Sequence, residues 1–146
     1  MTVVTQTVVR ALLAPLFVTA LAILVKGYAD TGDGFSAGVI AAFAVLLQVV
    51  AFGREEVEKH LPLHLAPRLV ATGLLLALAV VFLPLLAGEP PATHHPRPGA
   101  SVIHLGSLEL HTAVLFDAGV FLLVIGFTIG VIDRIGRRRE RDEEEA

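Results

Sequence analysis

Apolar residues fall along this chain in four long blocks, at about 8–26, 35–53, 67–87 and 108–135, each interrupted by few charged side chains. A helix needs about 20 predominantly apolar residues, at about 1.5 Å of rise each, to cross about 30 Å of hydrocarbon. All four blocks meet that length. They are apolar around their whole circumference rather than along one stripe, which separates them from amphipathic surface helices. The pattern predicts an all-α integral membrane protein: a bundle of four transmembrane helices.

The breaks are equally readable. Lys26–Gly34 (KGYADTGDG) holds three glycines and two aspartates and has to leave helix geometry. Gly53–Ala66 (GREEVEKHLPLHLA) is a charged loop, and Pro67 after it suits the first turn of a helix, where its missing N–H costs nothing. Gly88–Gly106 carries four prolines and reads as an ordered or extended loop. Ser107 is placed to cap the fourth helix, with Glu109 in the first turn where a negative charge suits the helix dipole. The membrane domain is expected over 1–136, followed by a solvated charged tail over 137–146.

Composition agrees with this division. The chain has 146 residues, 55% hydrophobic and 17% charged, with a mean hydropathy of +0.76. Soluble domains carry about 45–50% apolar and about 25% charged residues. The absence of Cys excludes a disulfide framework or a thiolate metal site. Four spans put the N-terminus, the second loop and the C-terminus on one side. That side holds Arg10, Arg54, Lys59, Arg68, Arg134, Arg137, Arg138, Arg139 and Arg141, nine basic residues, against Lys26 and Arg97 on the other. The positive-inside rule places both termini in the cytoplasm. There is no basic surface for nucleic acid, and no nucleophile–base pair, phosphate loop or cofactor fingerprint that would mark an enzyme. His60 and His64 stand four residues apart, but Pro62 between them spoils a helical face and no Cys accompanies any histidine, so no metal and no cofactor are expected.

In lipid, helices associate where small residues let backbones approach. Gly34, Gly38 and Ala42 in the second span, and Gly119, Gly126 and Gly130 in the fourth, have that spacing and are the expected packing positions. Ionisable residues at membrane depth are functional candidates by default. Asp117 is the clearest. Lys26 closes the first span on the same side and is long enough to reach toward it, and Glu109 precedes it by two four-residue steps on one expected helix face. These three are candidates for an ion route or for a structural contact. Gln48, Thr72 and Thr128 are expected to bond between helices, and Asp133 to pair with Arg134 at the cytoplasmic end.

Two stretches resemble the MrpB/MnhB family, small components of multisubunit Mrp-type sodium/proton antiporters. One is GYADTGDGFSAGVIAAFAVLLQVVAFG, Gly27 to Gly53; the other is GSLELHTAVLFDAGVFLLVIG, Gly106 to Gly126. The second follows the family's Gly-x-x-Glu-x-x-x-Ala-x-x-Phe-Asp-x-Gly-Val pattern through Glu109, Phe116, Asp117 and Gly119. In the first, Gly32, Gly34 and Phe35 match the family's glycine-rich turn, while Tyr28, Thr31 and Asp33 stand where the family commonly has His, Pro and Gly. The resemblance implies a multi-pass subunit of a hetero-oligomeric complex in a bacterial plasma membrane, surrounded by lipid and by the other antiporter subunits, which together export Na+ in exchange for H+. Two other expectations are compatible with the residues: a membrane-arm subunit of an energy-converting hydrogenase-type complex, and a purely structural scaffold.

Overall fold

The structure, a computed structural model, describes residues 2–26, 32–94, 104–105, 108–109 and 112–144. It contains helices α1 (Val3–Lys26), α2 (Asp33–Phe52), α3 (Arg54–Glu58), α4 (Ala66–Leu86) and α5 (Thr112–Glu144), with a 3-10 turn at Leu63–Leu65 before α4. The strands β1 (His104–Leu105) and β2 (Leu108–Glu109) pair antiparallel, His104 opposite Glu109. Four of the helices, α1, α2, α4 with its 3-10 lead-in, and α5, are long and apolar enough to cross a membrane.

Local chemistry explains where they begin and end. Gly32, at φ 115°, turns the chain into α2, a left-handed conformation that a side chain would oppose. Gly53, at φ 86°, ends α2 with its N–H on the Val49 carbonyl at 2.9 Å and redirects the chain into α3. A proline stands in the first turn of α4, where the ring's fixed φ fits and no hydrogen bond is lost.

Packing orders the spans as α1, α2, α5, α4: α2 lies between α1 and α5, and α5 between α2 and α4. The centre of the bundle is made of small residues. Ala20, Ala41, Ala42 and Val45 meet Ile125 and Ile129, and Val57, Leu63 and Ala66 close the end that carries the α2–α4 loop.

Three details differ from the sequence expectation. The fourth span begins at Thr112, not near residue 108, because Leu108 and Glu109 are drawn into the β1–β2 pair. Glu109 therefore lies outside the helix that carries Asp117, and the four-residue steps between them do not define a shared helix face. The charged segment after residue 136 continues the helix to Glu144 rather than fraying from it. Ser107, the expected cap, lies outside the described residues.

Candidate functional site

The most deeply buried charged side chain in the described structure is Asp117, 2% exposed, on the second turn of α5. Its carboxylate faces the start of α2. The backbone N–H of Gly32 donates to both oxygens, at 3.1 Å to Oδ2 and 3.3 Å to Oδ1. Helix N-termini leave four N–H groups without partners and carry about half a positive charge. A residue at the cap normally answers both with its own side-chain oxygen, but the cap here is glycine and has none. Asp117, 85 residues away in sequence, instead accepts the N–H of the cap residue itself and places its carboxyl at the helix end.

Close approach of the backbones makes this contact possible. A Cβ built on Gly34 would overlap the Asp117 carbonyl. One helical turn further, a Cβ on Gly38 would stand 2.8 Å from the Val124 side chain. The other face of α5 is fitted to α4 in the same way. A Cβ on Gly73 would lie 2.5 Å from the Gly119 carbonyl, one on Gly119 2.8 Å from the Ala77 nitrogen, and one on Gly126 2.8 Å from the Val70 nitrogen. Gly130 is looser, with Ala66 Cβ at 3.6 Å. Gly73 and Ala77 were not singled out from the sequence, although their four-residue spacing carries the same small-residue signal as the positions that were.

The other sequence candidates are placed apart from this contact. Lys26 is exposed at the end of α1, and no ion pair joins it to Asp117. Phe35 points outward, 61% exposed. Gln48 is buried and donates from Nε2 to the Val9 carbonyl at 2.7 Å, crossing from α2 to α1. Gln6 crosses in the opposite direction, to the Ala51 carbonyl at 3.2 Å. Thr128 bonds its own helix, at the Val124 carbonyl, and Thr72 is exposed. No buried side-chain polar atom lacks a hydrogen-bond partner among the described residues.

At the α2–α4 loop end, Asp133 pairs with Arg54 at 2.7 Å and with Arg137 at 2.9 Å, not with Arg134. Adjacent residues on a helix diverge by about 100°, so Arg134 faces away, whereas Arg137, four residues on, shares the face of Asp133. Among the described residues no three His, Cys, Asp or Glu side chains gather in a way that would hold a metal ion. As placed, then, the site chemistry is that of an anionic acceptor closing a helix end, in a bundle whose buried polar groups bond to the chain's own backbone.

Residues 4–130 match the family model described as "Domain related to MnhB subunit of Na+/H+ antiporter". The B-type subunit of the Na+/H+ antiporter of Alkalihalophilus pseudofirmus is 36% identical over 106 residues, 73% of this chain and 72% of that one. The protein of the same name from Bacillus subtilis is 33% identical over 114 residues, 78% of each chain. The probable K+/H+ antiporter A/B-type subunit of Rhizobium meliloti is 33% identical over 119 residues, which are 82% of this chain but 12% of that longer protein.

Proposed function

The chain belongs to the MnhB family of Na+/H+ antiporter subunits, and from that premise we propose that it is a small membrane subunit of a hetero-oligomeric complex that exports Na+ in exchange for H+, and that its task is to hold the assembly together. The complex sits in a bacterial plasma membrane. The nine-to-two division of basic residues supports an orientation with both termini and the α2–α4 loop in the cytoplasm.

One observation supports a structural task rather than an ion-carrying one. The two buried polar side chains among the described residues, Gln48 at 6% and Asp117 at 2% exposure, both bond to backbone groups of neighbouring helices. A proton or cation route needs groups that can change partners, and these are committed to holding helices in place. Asp117 is accordingly a positioning residue that fixes the start of α2 against α5. The R. meliloti relative, named for K+ rather than Na+, supports a division of labour in which the choice of cation is made elsewhere in the complex.

The test separates positioning from transport. Asp117→Asn retains an oxygen that can accept from Gly32 and loses only the charge at the helix end, about 0.3–1 kcal/mol. Asp117→Ala leaves the N–H without a partner, at a cost of about 1–3 kcal/mol. In membrane vesicles carrying the whole complex, Asn is expected to assemble and to exchange Na+ for H+ near the normal rate, while Ala loses the complex on native gels. If both variants assemble fully and both lose exchange, the carboxylate carries an ion and the positioning role is wrong.

A further inference from the structure

Arg10 is an exposed charged residue that makes no ion pair among the described residues. It lies seven residues past the start of α1, about 10 Å along the helix, and its guanidinium rests over the Phe52 ring, 4.8 Å from the centroid. That contact is a cation–π interaction. It gives no hydrogen bond to the guanidinium, and among the described residues Arg10 makes no hydrogen bond or ion pair. Three of the acids at this end are already engaged. Glu56 holds Lys59 at 2.6 Å. Glu58 accepts from the His64 ring and from the N–H of Leu63. Asp133 is shared by Arg54 and Arg137.

The space around Arg10 is hollow. On the side of α3 lies an open cavity of about 540 Å³ whose walls carry Leu13, Val57 and Leu61 beside Gln48, His60 and Glu56, the last already paired to Lys59. A second hollow beside the same arginine, of about 440 Å³, runs along Val3, Gln6, Thr7, Ala11 and Phe52. A guanidinium with five free donors therefore stands at the meeting of two mainly apolar channels. A small free anion would gain the one cation and leave the apolar part of both walls uncovered. An amphiphile with an anionic head gains the cation and covers the apolar walls as well, and Arg presents a planar fork suited to a phosphate. With the orientation proposed above, this place is at the cytoplasmic leaflet, where acidic lipids attract basic side chains.

We propose that Arg10 and the two hollows beside Phe52 form a binding site for one anionic phospholipid, with the phosphate on the Arg10 guanidinium and an acyl chain along the α1–α2 wall. The site rests on the proposed membrane orientation, but not on which ion the complex moves.

The experiment uses the intact complex. After delipidation in mild detergent it is supplied with phosphatidylglycerol or phosphatidylcholine, and bound lipid is counted by native mass spectrometry. The wild-type complex is expected to retain one phosphatidylglycerol per copy of this subunit in preference to phosphatidylcholine. Arg10→Gln is expected to weaken that retention about fivefold to tenfold, the worth of one basic contact near a charged lipid surface. Arg138→Gln, at an exposed position far along α5, leaves it unchanged. Equal retention of the two lipids by the wild type overturns the site whether or not any variant folds. So does unchanged phosphatidylglycerol retention in Arg10→Gln. Loss of a neighbouring subunit from Arg10→Gln with lipid retained also overturns it, and assigns Arg10 to a protein contact. Na+/H+ exchange is measured on the same preparations, so a complex that proves not to be an antiporter is distinguished from a subunit that lacks the lipid site.

Discussion

Where α5 meets α2 and α4, backbone lies against backbone. Gly34 abuts the Asp117 carbonyl, Gly73 the Gly119 carbonyl, and Gly126 the Val70 nitrogen. Where α1 meets α2, side chains reach across instead: Gln48 to the Val9 carbonyl and Gln6 to the Ala51 carbonyl. Ala20 and Phe17 of α1 pack on the core, and the opposite face of α1 is bare. Val3, Val18 and Leu21 are 78%, 66% and 50% exposed, and only Val9 and Ala20 on this helix are buried. Lipid tails are as apolar as these side chains, so burying them gives no hydrophobic gain. What separates the two contacts is how closely the helices approach and which polar groups they satisfy. The α2, α5 and α4 backbones are locked at close approach, and α1 is held to α2 through side chains with one face left open.

The strongest way to break this contrast is to add atoms at the seam. Gly34→Val puts a branched side chain into the Asp117 carbonyl, forces α2 away from α5 and separates the Gly32 N–H from its acceptor. Overpacking alone costs about 1–3 kcal/mol and occasionally more, and loss of the buried bond adds to that. The variant is expected to fail to accumulate in the complex. Gly130→Ala, where the nearest atom would be at 3.6 Å, is expected to behave as wild type. Thermal inactivation of the assembled complex in detergent measures both. Equal stability of the two would mean that the seam does not depend on backbone proximity.

Cutting the tether has a smaller effect. In Gln48→Leu the volume is roughly kept and the bond to Val9 is lost. The Val9 carbonyl lies within α1, so it retains its own helical partner and nothing is left unsatisfied. Interhelical bonds of this kind in membranes are worth about 0.6 kcal/mol on average and up to about 1.7. The complex is expected to form, with faster hydrogen exchange in α1 and unchanged exchange in α2 and α5. If protection falls equally in all three, α1 is no less integral than the seam.

The same contrast marks how far the sequence could be read. The four spans were legible because hydropathy and the charged breaks between them are properties of the chain alone. So was the spacing of Gly34, Gly38, Gly119 and Gly126, because small residues four or seven apart must share a helix face. Partners were not legible. Lys26 was expected to reach Asp117, and the carboxylate instead takes the N–H of Gly32, a backbone donor that no side-chain pattern reveals. Asp133 was paired with its neighbour Arg134, and the structure brings it Arg54 from the far side of the loop. Periodicity assigns residues to faces, whereas pairing depends on how helices of separate origin are laid together. Glu109 falls outside the helix for a related reason: an N-cap signal and an acidic first turn compete with a two-residue strand pair in which Glu109 stands opposite His104.

The smallest expected effect lies at the turn that launches α4. Glu58 accepts the backbone N–H of Leu63 at 3.0 Å and of His64 at 3.3 Å, and its carboxylate also meets the His64 ring. Burial by itself would raise the Glu58 pKa, but the His64 ring and the two N–H groups outweigh it and hold the carboxyl below its ordinary value. A carboxyl whose folded pKa is lowered adds stability that is full above the unfolded value, about 4.3, and is lost as pH falls through the lowered one. The turn is therefore held at neutral pH and released only in acid. Because the group is partly exposed, the contribution is about 0–1 kcal/mol. Glu58→Gln keeps an oxygen for one N–H and removes the titration. Melting of the wild-type and variant complexes from about pH 7 into acid well below about pH 4.3 should show a small advantage for wild type that holds down to about pH 4.3 and closes only below it, as the carboxyl protonates. An advantage that persists unchanged into that stronger acid would mean that the charge on Glu58 plays no part in holding the turn.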